Sequence, residues 1–256
     1  MRRQLPPMPQ SGLAIVAERF SLLAVPVAAG GVLATRAGQI APENGIAAIT
    51  FAAILATIAL AAAFVAAIDI WRNGYLGLDR LARAMLVAGV LLAFPAYLAY
   101  QSFRLPALND ITTDLDDPPL FSTSARSLAE REGHRPPEVL RARREIQRRA
   151  YPAIRTLVIE GSAEEAFQSV LGAIRQLKWK VIEEVRPDDR RGIGRIEAID
   201  ESRLMRFRDD ITIRFRQSGD VTRVDIRSAS RIGRHDFGAN AARILRLQQE
   251  IANPSE

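Results

Sequence analysis

A run of 24 residues without a charged side chain, Gly45 to Ile68, constrains this chain more than any other feature. A helix rises about 1.5 Å per residue, so such a run is long enough to cross the hydrocarbon core of a bilayer with some tilt. It predicts a membrane-spanning helix over about residues 45–70. A second apolar stretch, with Tyr97 and Tyr100 near one end, predicts another span over about residues 84–103.

A shorter apolar segment precedes these two and predicts a span over about residues 20–37. Glu18 and Arg19 interrupt the apolar run just before it. A cleaved signal peptide, with Arg2 and Arg3 as its positive start, is the alternative. We favour an uncleaved span, because two further spans follow and there is no clear cleavage site with small residues before them.

Positive charges in the short flanks of the spans orient the membrane region, because Lys and Arg accumulate on the cytoplasmic side. With the N-terminus inside, six arginines lie on the inner side and two on the outer side: Arg2, Arg3, Arg19, Arg72, Arg80 and Arg83 against Arg36 and Arg104. This predicts a multi-pass protein of the bacterial inner membrane, in contact with membrane lipids, with everything after Phe103 in the periplasm. No polar stripe runs through the spans, which argues against a transporter or a channel.

The soluble remainder is densely charged but nearly balanced. Of the 35 Lys+Arg and 29 Asp+Glu residues, 28 and 25 lie beyond Phe103, which leaves a net charge of +3 there. Although the pI is about 10.4, such a domain makes a poor phosphate-binding surface, and we expect no nucleic-acid partner. The chain has no cysteine and two histidines, which excludes thiolate and histidine-rich metal sites. We expect no metal and no cofactor.

Residues 109–121, NDITTDLDDPPLF, predict an extended arm, since four aspartates and a Pro-Pro pair exclude a helix interior. Calcium ligation is one interpretation, because hard cations take clustered carboxylates, but the D-x-D-x-D-G spacing is missing. We favour an arm that is solvated or paired with arginines through Asp110, Asp114, Asp116 and Asp117. A basic helix over about residues 138–149 follows, and two roles stay open for it: resting on anionic lipid headgroups, or connecting in solvent.

The remaining residues alternate between strand and helix patterns. Strands are predicted over residues 156–160, 179–185, 194–200, 210–216 and 221–228. A capping box of Ser162 and Glu165 opens a helix that ends near Leu177, and Asp236 is the expected N-cap of a last helix. This order predicts a two-layer α+β sandwich with a mainly antiparallel sheet. The chain thus divides into a membrane region (1–103), an arm with a basic connecting helix (104–150) and an α+β domain (151–256).

A two-residue turn at Gly219-Asp220 fixes the register of the last two strands, because a type II′ hairpin takes Gly first. The alternative three-residue loop would mix apolar and charged residues on one face. The turn predicts the pairs Phe215–Val224, Ile213–Ile226 and Arg214–Asp225. One sheet face is then apolar and covered by helices, whereas the other carries a lattice of charge.

Residues 223–243, RVDIRSASRIGRHDFGANAAR, form the densest run of hydrogen-bonding and ion-pairing side chains. Three interpretations stay open: a solvated, self-neutralising face, a face buried by the acidic arm, and a pocket in which Arg227, Arg231 and Arg243 with Ser228 and Ser230 bind a phosphate or a carboxylate. The candidate ligand-binding residues are Arg214, Asp225, Arg227, Ser228, Ser230, Arg231, Asp236, Asn240 and Arg243.

A non-enzymatic domain that binds an anionic ligand or an envelope protein is the function that we favour, and we assign no catalytic residue. The alternative is a membrane-anchored hydrolase. Ser230, His235 and Asp236 have the residue types of a nucleophilic triad, but no G-x-S-x-G elbow frames the serine. Glu197 and Asp210 are candidate paired carboxylates, although neighbouring arginines should keep both ionised.

Several motifs in order carry a resemblance to a known family: DITTDLDDPP in the arm, RIEA around Glu197, FRDDITIR, and VDIRSASRIGRHDFGANAARI. Together they resemble the bacterial domain-of-unknown-function family 1499 over roughly residues 110–251. The resemblance implies an envelope-associated domain, often preceded by membrane spans. It implies no reaction and no catalytic residues.

Overall fold

The computed structural model describes residues 8–188 and 192–253. The predicted positive start at Arg2 and Arg3 lies outside the described residues. The chain divides into two compact units, one up to Tyr100 and one from Gln101.

Three long helices open the described chain: α1 (Gly12–Arg36), α2 (Pro42–Asn73) and α3 (Leu78–Arg104). Each is long and apolar enough to cross a membrane, which confirms the prediction of three long apolar helices. Alanines make the contacts between them. Ala14 and Ala17 of α1 pack with Ala84 of α3, and Ala59 of α2 packs with Ala88 of α3. Small side chains also let helix backbones approach closely, as α1 and α2 do at Gly31 and Ala48.

The first helix begins at Gly12 rather than near residue 20, so Glu18 lies inside it. Its carboxylate pairs with Arg80 at 2.7 Å and with Arg83 at 2.9 Å, both from α3. Because a carboxylate next to an apolar run is tolerated when it is paired, these arginines allow the helix to continue through Glu18. Glu18, whose charge set the predicted start of the first span, therefore forms ion pairs between two helices.

The second unit contains one sheet and four helices. In chain order the elements are β1 (Asp110–Thr112), α4 (Ala125–Glu130), α5 (Arg141–Ala150), β2 (Leu157–Glu160), α6 (Ala163–Gln176), β3 (Lys180–Val185), β4 (Ile193–Glu201), β5 (Arg208–Ser218), β6 (Val221–Ser230) and α7 (Ala239–Ala252). The strands run in the order β3-β4-β5-β6, and β1 and β2 both pair with the free edge of β6. Every strand pair is antiparallel, which confirms the predicted α+β fold.

The predicted hairpin register is confirmed residue by residue: Phe215 faces Val224, Ile213 faces Ile226 and Arg214 faces Asp225. The apolar face of the sheet packs against α6 and α7, with the Phe167 and Phe215 rings 5.3 Å apart. The capping box at the start of α6 is present as predicted. We call the apolar side of the sheet, which α6 and α7 cover, the helix face. We call the opposite side, which the arm covers, the arm face.

Two local predictions are wrong, and one helix was not predicted. Asp236 is not the N-cap of α7, because Phe237 and Gly238 take positive φ angles of 53° and 83° and the helix begins only at Ala239. Its carboxylate still accepts the backbone N–H groups of Gly238 and Asn240, both at 2.9 Å. The basic helix begins at Arg141 rather than near residue 138, and α4 was missed.

Candidate functional site

The candidate ligand-binding residues lie on two sides of the sheet. Side chains alternate along a strand, so Arg227 and Ser228 point to opposite faces. Arg214, Asp225 and Arg227 lie on the arm face, and Arg231 joins them through Asp210, with which it makes a 2.7 Å ion pair. On the helix face a second group meets around α7: Ser228, Ser230, Asp236, Asn240 and Arg243. The structure therefore does not bring Arg227, Arg231 and Arg243 into one pocket.

The arm supplies the partners of the arginines on the arm face. Asp110 of β1 receives Arg227 at two points, Nε to Oδ1 at 3.0 Å and Nη2 to Oδ2 at 2.7 Å. Asp114 and Asp117 receive Arg214 at 3.4 and 2.9 Å, and Arg216 contacts the same two aspartates at 2.8 and 3.0 Å. Asp225 of the sheet completes this network.

The remaining arm aspartate has another role. Asp116 is 93% exposed at its side chain and contacts Arg148 of α5 at 3.3 Å.

Asp114 Oδ1 accepts the backbone N–H groups of Asp116 and Asp117. Burial raises the pKa of Asp114, but these two N–H groups and Arg216 outweigh it and hold the pKa below its ordinary value. Within the described ranges, no group of three or more carboxylate or histidine side chains is placed to hold a metal ion.

Arg227 fixes the arm at its centre and is 2% exposed. Besides Asp110, its guanidinium donates to the carbonyls of Pro119 at 3.2 Å and Pro137 at 2.6 Å. The Phe121 ring covers it, with 5.0 Å from the guanidinium carbon to the ring centroid. These contacts make Arg227 a connection between β6, the arm and the segment before α5.

On the helix face, Arg243 joins three strands to α7. It contacts Asp200 of β4 at 2.7 Å, Asp209 of β5 at 2.6 Å and Ser228 of β6 at 3.0 Å. Burial raises the pKa of Asp209 although the positive charge of Arg243 opposes it. These three groups and Asn240 accept hydrogen bonds from the guanidinium. The cluster therefore has a structural role, since it holds α7 against the three strands.

The geometry required for the hydrolase alternative is not present. Nδ1 of His235 accepts the backbone N–H of Phe237, and the carboxylate of Asp236 caps α7, so the two side chains form no relay. Ser230 accepts a hydrogen bond from Asn240 instead of facing an imidazole.

The two candidate carboxylates, Glu197 and Asp210, also contact different partners. Asp210 contacts His134 and Arg231, whereas Glu197 accepts the backbone N–H of Ser122 and lies 3.7 Å from Arg131. The arginines near Glu197 do not give it a lowered pKa. Burial raises its pKa, and the hydrogen bond from Ser122 and the charges of Arg131 and Arg195 do not compensate.

Sequence reasoning missed a cleft that lies beside the arm. A cleft of about 690 Å³ lies between residues 116–123 of the chain and residues 131–139. Four arginines line it, and we call it the arginine cleft: Arg131, Arg135, Arg144 and Arg227. One of these arginines, Arg131, follows the short helix α4. The six residues of α4 are too few to give a clear periodic signal in the sequence.

Arg131 is 1% exposed and only partly paired. Its Nη2 donates to the carbonyl of Ser122 and its Nε donates to the carbonyl of Ser127. The Phe121 ring lies 5.4 Å from its guanidinium carbon, so this ring contacts the two buried arginines of the cleft, Arg131 and Arg227. Nη1 of Arg131 and Oε2 of Glu197 are buried without a hydrogen-bond partner among the residues that the structure describes.

Comparison with known proteins gives one match. A family model described as "Protein of unknown function (DUF1499)" matches residues 110–251, from the arm to the last turns of α7. A search of curated proteins finds no match.

Proposed function

The chain belongs to the DUF1499 family of proteins of unknown function, and we propose that it is a non-enzymatic protein of the bacterial inner membrane that binds an anionic group on the periplasmic side. The anion would bind in the arginine cleft of the second unit. Three apolar helices support the membrane location. The one observation that carries the binding role is Arg131, which lines that cleft and whose buried Nη1 has no hydrogen-bond partner among the described residues.

An unpartnered buried donor of a cation is unfavourable unless something else completes it. An anion in the cleft would give Arg131 the charge-assisted hydrogen bond that it lacks. Arg135 at the rim is exposed and has no ion-pair partner among the described residues, so it adds positive charge that the protein itself does not neutralise.

The arginines of the lattice are poorer candidates for the anion-binding role. Arg214 and Arg243 are each engaged by two or more carboxylates of the chain. An added anion would have to displace these carboxylates. We therefore assign ligand binding to Arg131 and Arg135, with Arg227 contributing to the wall, and an architectural role to the remainder of the lattice.

The orientation rests on charges close to the helix ends. Arg72 lies in the last turn of α2, and Arg80 and Arg83 lie near the start of α3, on one side of the helix bundle. The connection between α1 and α2 carries Arg36 and Glu43. This difference supports a cytoplasmic α2–α3 connection, which places the chain after α3 on the opposite side.

Binding is tested on the full chain in nanodiscs of phosphatidylcholine, with inorganic phosphate as the probe. Isothermal titration should give saturable binding that weakens about tenfold or more in Arg135→Ala, since a charge-assisted hydrogen bond contributes about 1.5–3 kcal/mol. Arg175→Ala, at an exposed arginine on α6, is the matched control and should bind as wild type. Absence of binding, or equal loss in both variants, would disprove the proposal.

Orientation is tested by cysteine labelling, which is direct because the chain has no cysteine of its own. A membrane-impermeant maleimide should label Ser218→Cys in intact spheroplasts, and should label Leu76→Cys only after lysis. The reverse pattern would place the second unit in the cytoplasm and would overturn the location but not the anion site.

A further inference from the structure

The apolar part of the arginine cleft restricts the kind of anion that fits. Between the arginines, the cleft is lined by prolines and large apolar side chains: Pro118, Leu120, Phe121, Pro136, Pro137 and Val139. Leu120 is 71% exposed, so this surface is open at its edge. A site for inorganic phosphate alone needs donors and no such apolar surface.

The apolar surface continues beyond the arginine cleft. A neighbouring cleft of about 520 Å³ shares four lining residues with it: Asp116, Glu138, Val139 and Arg144. Leu115 and Leu140 line this second cleft, and Leu140 is 65% exposed. The two clefts are therefore adjacent, and together they offer more length than a compact anion uses.

The carboxylates of the cleft are already neutralised by arginines outside its centre. Asp117 pairs with Arg214 and Arg216, and Asp116 pairs with Arg148. The third, Glu138, lies 3.6 Å from Arg144. Arg131 lies 3.7 Å from Glu197, whereas Arg135 has no ion-pair partner among the described residues. One positive charge therefore stays uncompensated at one end of an apolar surface.

We infer that the ligand is an amphiphile, a phosphate ester that carries an alkyl or acyl chain. The phosphate contacts Arg131 and Arg135, and the chain lies along Phe121, Leu120 and Val139 toward Leu140. This inference rests on the proposed anion binding and adds the class of ligand. Such a ligand comes either from the lipid bilayer or from a soluble lipid phosphate, and both sources present the same chemistry.

The test is a series of alkyl phosphates, from ethyl to octyl, titrated into the full chain in phosphatidylcholine nanodiscs after subtraction of empty nanodiscs. Each buried methylene strengthens binding by roughly fourfold. We expect octyl phosphate to bind at least about tenfold more tightly than ethyl phosphate, because burial of only two methylenes gives roughly that factor.

Two variants separate the chain-binding surface from the phosphate site. Leu120→Ser should reduce the gain, which is the ratio of the octyl phosphate affinity to the ethyl phosphate affinity. This comparison does not depend on how the substitution affects the phosphate site itself. Val158→Ser, at an exposed valine on β2, is the matched control and should retain the full gain. Competition by phosphatidylglycerol nanodiscs would identify a bilayer lipid as the source, and lack of competition a soluble amphiphile.

Each failure has a distinct meaning. Equal affinity for ethyl and octyl phosphate, or a gain that Leu120→Ser does not reduce, would overturn the amphiphile and leave a plain anion site. Loss of inorganic phosphate binding in Arg135→Ala would still support the proposed function in that case. If no phosphate binds at all, both proposals fail together.

Discussion

Arg227 and Asp110 lie 117 residues apart in the chain and form a two-point ion pair in which both partners are largely buried. The pair joins a strand at the end of the domain to the arm at its beginning. A guanidinium has planar donors that match a carboxylate at two points. The contact therefore fixes the position of the arm on the sheet in addition to holding it there.

Removal of Arg227 should therefore destabilise the second unit. We expect Arg227→Met to lower the free energy of unfolding by about 3–5 kcal/mol, because Asp110 is left buried without its cation. Arg223→Met, at an exposed arginine of the same strand, should change it by about 0.5 kcal/mol or less. Urea unfolding followed by Trp179 fluorescence in a Trp71→Phe background measures both. Equal stability of the two variants would mean that Arg227 does not hold the arm.

Arg243 should show a loss of stability that depends on pH. Arg243→Met leaves Asp200 and Asp209 facing each other across β4 and β5 without their shared cation, and at neutral pH we expect a loss of about 3–5 kcal/mol. Burial raises the pKa of Asp209 already in the wild type, and loss of the opposing Arg243 charge would raise it further. Stability should therefore return as the pH falls and this carboxylate becomes protonated.

Unfolding at pH 7 and at about pH 4.5 measures this recovery. Arg246→Met is the matched control. This exposed arginine lies on the same helix and donates to the Ala242 carbonyl, with no carboxylate partner among the described residues. A loss of equal size at both pH values would exclude repulsion between Asp200 and Asp209 as its cause.

Glu197 should make wild type less stable as the pH rises. Burial raises its pKa in the folded protein, so the folded state holds the proton more tightly than the unfolded state. Stability from this group is then complete below the ordinary glutamate pKa of about 4.3 and is lost as the pH rises through the folded pKa. Glu197→Gln, which keeps an acceptor for Ser122, should gain on wild type over that range. A difference that stays constant from pH 4 to pH 8 would contradict the raised pKa.

Two neighbouring glycines of α1 should respond differently to the same substitution. A Cβ at Gly31 would lie 2.6 Å from the Cβ of Ala48 on α2, whereas a Cβ at Gly30 meets nothing within 4 Å. Gly31→Ala should therefore lower the melting temperature of the helices. Gly30→Ala should keep or raise it, since alanine is favoured over glycine in a helix by up to about 1 kcal/mol. Thermal unfolding by circular dichroism in detergent distinguishes the two, and equal melting temperatures would mean that the close approach of α1 and α2 is unimportant.

Features that depend on residues close together in the sequence were predictable. The three spans follow from hydrophobic length, the start of α6 follows from Ser162 and Glu165, and the β5–β6 register follows from one glycine at the turn. The start of α7 was wrong because nothing in the pattern indicates that Phe237 takes a positive φ.

The site was less predictable because its contacts are distant in sequence. Strand alternation already separates Arg227 from Ser228 and could have divided the candidate residues between the two faces. The identity of the partners could not be deduced, since charge alone does not tell which aspartate of the arm meets which arginine. Arg131 was missed for the same reason, because its contacts with Glu197 and Phe121 exist only in the folded unit.

The position of β6 has a consequence for how the protein is made. In the part of the chain that the structure describes, β6 is the strand with which both β1 and β2 pair, and Arg227 follows Asp110 by 117 residues. At a synthesis rate of about 5–20 residues per second, this delay lasts roughly 6 to 23 seconds. During this interval the arm has no β6 to pair with, so a protease or a chaperone can bind a segment that strand pairing and a buried ion pair hold in the folded unit.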